Sequence, residues 1–197
     1  MTSNTAERAA FRALSQASTA DWEIIERAEG EHRRRAGPGA GLLRMLRAIS
    51  GDAPIGTPVS LYAHCLQTAT RVLEAGRDDE LIVMALFHDL PEAFSDNHHG
   101  LLAAEMLAPR LSERRRWMLI HHVEFQALHF ANHPTRDRNE RERYRGHPYF
   151  DETAEFCALF DQNSFDPDFP TLELGNFEPI VRRFFGGPAP PPVRLND

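Results

Sequence analysis

The chain contains no lysine: all 22 of its basic residues are arginine. That absence removes Schiff-base chemistry on a protein amine, the lysine of a phosphate-binding loop and a lysine general base. Its ordinary explanation is a coding preference for arginine. Cysteine is nearly as scarce. Cys65 and Cys157 are the only two in 197 residues, too few for a disulfide scaffold, and each falls in an apolar helical pattern. Both are expected to be buried free thiols. No apolar run approaches the roughly 18 residues of a membrane span. The opening stretch MTSNTAERAAFRALSQAST lacks the continuous apolar core of a secretory signal. A cytoplasmic protein with no membrane partner is expected. A net charge of −7 argues against a nucleic-acid partner. There is no internal repeat, and no stretch sustains period-2 alternation between hairpin turns.

What is present is helical. Apolar spacing predicts helices over about 60–75, with Gly76 as a stop, and over about 79–88, with Asp78 as N-cap. Others are expected from about His98 to just before Pro109, from Ser112 onward with Arg114–Arg116 outside, over about 151–162, and over about 178–185. The fold class is all-α, and the length suits one globular domain. Residues 1–40 read as N-terminal helices followed by a basic, glycine-rich loop, GEHRRRAGPGAG. Residues 41–186 read as the main domain, and 187–197 as an extended proline-rich tail.

Ten histidines are spread along this pattern. Taken singly, each is best read as a surface or hydrogen-bonded core residue, and His32, His129 and His133 keep that reading. The others form a constellation. In LFHDLPEAFSDNHHG, Leu86 to Gly100, His88 and Asp89 stand at the end of an apolar helix. Pro91 disfavours helical geometry at Leu90, so both side chains can leave the regular helix there. An imidazole beside a carboxylate suits Fe, Mn, Zn or Ni. His64 lies on an inward face, with Gln67 three residues on. Of the pair His98–His99, His99 aligns with Leu102 and Met106 and is the better inward candidate. For His121–His122 periodicity does not choose. Asp161 closes the apolar stretch FCALF and asks for a partner.

In this order, HCLQTAT, ALFHDL, NHHGLLAAEML, WMLIHHVEFQ and FCALFDQNSFDP resemble the HD-domain metalloprotein superfamily. The branch most similar contains myo-inositol oxygenase and the phosphonate-cleaving HD oxygenases. The resemblance implies a helical bundle with a dinuclear site in its core. His64, His88, Asp89 and Asp161 would hold one metal. His99 and His122 would hold the other, with Asp89 bridging; the register of WMLIHH favours His122. It further implies two iron ions as a mixed-valent pair, and oxidation of a C–H bond of a small polar metabolite by O₂.

The chain departs from that pattern after the His-Asp pair. Many HD proteins read His-Asp-x-Gly-Lys; here Pro91 and Glu92 stand in the last two places. A carboxylate there repels an anionic substrate group. Gln126, four residues after His122, is uncharged where phosphonate-cleaving members tend to be basic. HDLPE also resembles the HD nucleotidases, in which an acidic residue helps activate water. Glu92 or Asp96 could act so, in a phosphohydrolase using Mn, Co or Ni. A third reading is a helical binding module with a closed structural metal. Gln67, Gln126 and, on the loop YRGHPYF, Arg145, His147 and Tyr149 are candidates for substrate contact or for support of the ligands. The sequence does not reach the oligomeric state.

Overall fold

A computed structural model describes residues 7–95, 98–108 and 110–187. Residues 188–197 of the expected tail, and Asp96, lie outside these. Among the described residues there are eight α-helices and no strand: α1 (Thr19–Ala36), α2 (Ala40–Ala48), α3 (Leu61–Glu74), α4 (Asp79–Phe87), α5 (His99–Leu107), α6 (Glu113–Gln126), α7 (Phe150–Leu159) and α8 (Leu174–Gly186). No helix in this set is long and apolar enough to cross a membrane.

Helix α4 is the axis of the molecule. Its residues Leu81 to Phe87 are all buried, as expected of a helix apolar on every side. It packs against α3, α6 and α8, while α5 packs on α6 and α6 on α7. One apolar core runs from Leu43 and Leu46 on α2 to Ile180 and Val181 on α8, with Phe87, Phe125, Phe156 and Phe177 deeply buried. Short polar side chains start the helices that matter. Ser60, Asp78 and Ser112 each accept a hydrogen bond from the backbone N–H three residues on, satisfying one of the orphan donors at a helix start.

Three expectations change. GEHRRRAGPGAG is not a loop throughout: α1 continues through Arg33–Arg35 to Ala36. A capping box between Ser18 and Asp21 starts that helix, and the pairs Glu29–Arg33 and Glu31–Arg35 run along it. Only residues 37–39 turn, where Gly37 and Gly39 take φ of 80° and 70°. A Cβ on Gly39 would also stand 2.6 Å from Val181. Second, Arg115 is not outside. It is buried, bonded to Glu152 at 2.7 Å and near Asp78 at 3.5 Å, which ties α6 to the starts of α7 and α4. Third, α8 begins four residues earlier than expected, with Pro179 inside it. The proline forfeits at most one bond of the first turns, and burial of Leu174, Phe177, Ile180 and Val181 outweighs that loss.

Candidate metal centre

The chain leaves α4 in a way that frees two adjacent side chains. His88 keeps helical dihedrals (φ −59°, ψ −41°), but Asp89 moves to φ −105°, ψ 0°, the sparsely populated bridge region. A 3₁₀ turn, Leu90–Ala93, follows, with Pro91 as its second residue. Across the core, α7 breaks at Phe160 and delivers Asp161 as the first residue of another 3₁₀ turn, rather than as the last turn of a helix reaching 162. His64 comes from the first turn of α3, His99 from the start of α5 and His122 from the inner face of α6.

These six side chains converge in two groups that share Asp89: His64, His88, Asp89 and Asp161, and Asp89, His99 and His122. In the first, His64 Nε2 lies 3.2 Å from His88 Nε2, 3.1 Å from Asp89 Oδ2 and 3.3 Å from Asp161 Oδ1. His88 Nε2 lies 3.2 Å from Asp89 Oδ2 and 3.5 Å from Asp161 Oδ1. In the second, Asp89 Oδ1 is 3.1 Å from His122 Nε2 and 3.3 Å from His99 Nε2, and these two nitrogens are 3.2 Å apart. Ligand atoms about 2.1 Å from one ion are separated by about 3.0 Å in octahedral and about 3.4 Å in tetrahedral coordination. Every separation above is close to that range.

Tautomers decide what the short nitrogen–nitrogen distances mean. The Nδ1 of His64, His88 and His122 meet the backbone carbonyls of Ser164, Ala85 and Leu119 at 2.9, 2.8 and 2.6 Å. A carbonyl only accepts, so each Nδ1 carries the proton, and each neutral ring presents a bare lone pair at Nε2. Lone pairs then face one another and two carboxylates. Such an arrangement repels unless positive charge sits among the atoms, and carbonyl-oriented imidazoles are the usual mounting of metal-bound histidine. Without an ion, protons supply that charge. Burial alone would lower His64, but hydrogen bonds donated by its protonated ring to Asp161 and Asp89 outweigh it and hold its pKa at about 9. His88 is raised well above its ordinary value against the same burial penalty, chiefly by Asp89. Burial works against ionised Asp89 and Asp161 too; the histidines prevail and hold both carboxyls low.

No protein-family model and no curated protein matches this chain. The geometry therefore stands on its own.

Around the ligands, Phe165 stacks on His64 with ring centroids 4.4 Å apart, and Phe156 meets the edge of His88. Gln67 brackets the backbone of Asp166, donating to its carbonyl at 2.7 Å and accepting from its N–H at 3.3 Å. It thereby holds the segment whose Ser164 carbonyl orients His64. Gln126 is buried one turn beyond His122, and its Oε1 has no hydrogen-bond partner among the described residues. Glu92 stays exposed on the turn after Asp89; partial desolvation of its carboxyl, then repulsion by Asp89, raises its pKa.

The structure does not bring Arg145, His147 and Tyr149 to the ligands. Arg145 clamps Glu142 and covers Phe150. His147 lies flat on Trp117 at 4.1 Å, with Tyr149 against the same ring. Trp117 and His121 form the outer face of α6, and His121 turns to Trp117, Tyr144 and Glu124, so the loop closes the side of α6 opposite His122. His98 is the exposed N-cap of α5. Sequence reading missed Gly100. A Cβ there would stand 2.5 Å from the Leu119 carbonyl and 3.1 Å from the His122 ring. The glycine of NHHG lets α5 approach α6 closely enough for His99 and His122 to meet.

Proposed function

We propose that this chain is an HD-type di-iron oxygenase that oxidises a C–H bond of a small polar metabolite with O₂. The observation that carries the reading is Asp89: its two carboxylate oxygens each face a separate histidine set. His64, His88 and Asp161 would hold one iron, His99 and His122 the other, and Asp89 would join them. A bound pair would supply one-electron redox steps and open positions for O₂ and substrate. The chain's own residues do the rest. Backbone carbonyls aim the imidazoles, and Phe165 and Phe156 wall the first group. Glu92 opposes an anionic substrate group near Asp89. The buried Gln126 Oε1 calls for a donor, which a substrate hydroxyl or amine supplies.

A second reading, a phosphohydrolase, is favoured by Glu92 alone: an exposed carboxyl with a raised pKa beside the site suits a base that activates water. One comparison separates the two. The protein is purified from iron-replete cells; metal is counted, O₂ uptake is followed with small hydroxylated and amino substrates, and phosphate-ester turnover is assayed with Mn, Co and Ni. Two irons per chain with substrate-dependent O₂ uptake is expected. Asp89→Asn is expected to hold at most one iron and to abolish uptake. A single tightly held non-iron metal with no O₂ consumption under reducing conditions overturns the proposal, and ester turnover in its place establishes the second reading.

A further inference from the structure

Three buried polar atoms around the end of α6 have no hydrogen-bond partner among the described residues: Gln126 Oε1, His129 Nε2 and Arg141 Nε. Gln126 follows His122 by one turn, on the same face of the helix, and is only 8% exposed. α6 ends there, and a 3₁₀ turn, Ala127–His129, continues it. Side chains three apart eclipse in such a turn, so His129 extends the face that begins at His122. A second 3₁₀ turn, Glu140–Tyr144, packs on the first and on α6. Arg138 ties the approach to the Leu128 carbonyl at 3.0 Å, and Arg141 comes in on the second turn. Burial, and then the charge of Arg141, lowers the His129 pKa, while Asp161 acts in the opposite sense. His129 therefore feels both Arg141 and a residue of the candidate metal centre, and its ring is neutral at pH 7.

Arg141 is poorly matched by its own chain. Its side chain is only 16% exposed, and its ion pair is with Glu142, 3.5 Å from Nε. That carboxylate already accepts two shorter hydrogen bonds from Arg145, at 2.5 and 2.8 Å. A largely buried cation and a buried amide oxygen each cost free energy until a partner meets them. Gln126 Oε1 takes a donor, and Arg141 takes an anion. We propose, resting on the oxygenase reading above, that Gln126, His129 and Arg141 hold the substrate and that it is a small hydroxy or amino acid. Its hydroxyl or amino group donates to Gln126 Oε1, and its carboxylate accepts from Arg141 and from His129 Nε2. Charge selects a monoanion. One buried guanidinium balances one negative charge, neutral His129 adds none, and Asp89, Asp161 and Glu92 repel a second; Arg138 is exposed and held at the Leu128 carbonyl. Glu92 repels the carboxylate and Arg141 attracts it, which sets the direction in which the substrate lies.

Equilibrium dialysis on the full chain as purified, without O₂, tests this independently of turnover. Glycerate and serine are the probes, with glycerol and serinol as counterparts lacking the carboxylate and 2-hydroxyethylphosphonate as the dianion. Both acids are expected to bind at least about tenfold more tightly than these. Arg141→Gln is expected to erase that preference, and Arg141→Lys, which keeps the charge, to retain part of it. Gln126→Leu is expected to weaken glycerate at least about tenfold but not propionate, which lacks the hydroxyl. Circular dichroism verifies that each variant is folded. Failure of both acids to bind, equal affinity for glycerate and glycerol, or a folded Arg141→Gln chain that keeps the preference each overturns the proposal. The oxygenase reading fails separately: the expected binding pattern without O₂ uptake overturns that reading, whereas uptake driven by glycerol and not by either acid overturns the substrate class alone.

Discussion

Asp89 and Gly100 show how single residues set the centre. Asp89 is the one acid with an oxygen in each group, so charge and geometry of both depend on it. Gly100 acts through what it lacks. Alanine at position 100 is expected to push the Leu119 carbonyl away, since the added Cβ would meet it at 2.5 Å. That carbonyl orients His122. Overpacking of this kind costs about 1–3 kcal/mol, and the ligand aim is lost with it. Thermal melting and metal titration of Gly100→Ala check this: the melting temperature falls, and the group of His99 and His122 loses affinity while that of His64, His88 and Asp161 keeps it. Equal loss from both groups would contradict the assignment.

At the scale of elements, the site is a meeting of helix ends. α4 ends at His88, α5 begins at His99, α7 breaks before Asp161, and the segment after that break turns back over α3. Gln67 makes the last joint by gripping both polar backbone groups of Asp166. Gln67→Leu leaves those groups without their partner, at about 1–3 kcal/mol each where they are buried. It also loosens the segment carrying the Ser164 carbonyl. Loss of such an orienting contact typically costs about 10- to 100-fold in metal affinity. Chelator competition is the measurement. The expected result is weaker retention by the His64 group, and unchanged retention would separate Gln67 from the site.

For the molecule as a whole, the buried cluster couples stability to pH differently with and without a bound ion. Without metal, His64 titrates at about 9 in the fold against 6.5 when free. A raised folded pKa stabilises fully below about 6.5, and that contribution fades as the pH climbs through about 9. The metal-free chain is therefore expected to lose stability on going from pH 6.5 to 9. With metal, the same imidazoles bind as neutral ligands and protons compete with the ion, so the gain in stability on loading grows with pH over that window. Melting curves of chelator-treated and metal-loaded protein at pH 6, 7.5 and 9 check both slopes. Parallel slopes would rule out an ion among these side chains.

Some of this was determined by the sequence alone. Helical spacing with no strand pattern set the fold class, because period 3.6 and period 2 bury different residues. The uniformly apolar run before His88 put the His-Asp pair at the edge of a core, and Pro91 marked where the chain leaves it. Spacing also favoured inward positions for His64 and His99 and an apolar setting for Asp161, whereas the full set of six candidate ligands rested on a resemblance in motif order and not on spacing. The sequence could not choose His122 over His121 by periodicity, since adjacent positions on a helix end in different neighbourhoods only once neighbours exist. Nor could it place YRGHPYF, which closed on Trp117 instead of on the ligands, or Arg115, which is buried because Glu152 and Asp78 come to meet it. The extent of α1 misled for the opposite reason: of the glycines that suggested a loop, Gly30 lies inside the helix and only Gly37 and Gly39 turn the chain. Tertiary structure alone decided that the two oxygens of Asp89 point to different histidine pairs, and that Gly100 leaves room for one of them. Those are relations among segments distant in the chain, and no local pattern encodes the distance between them.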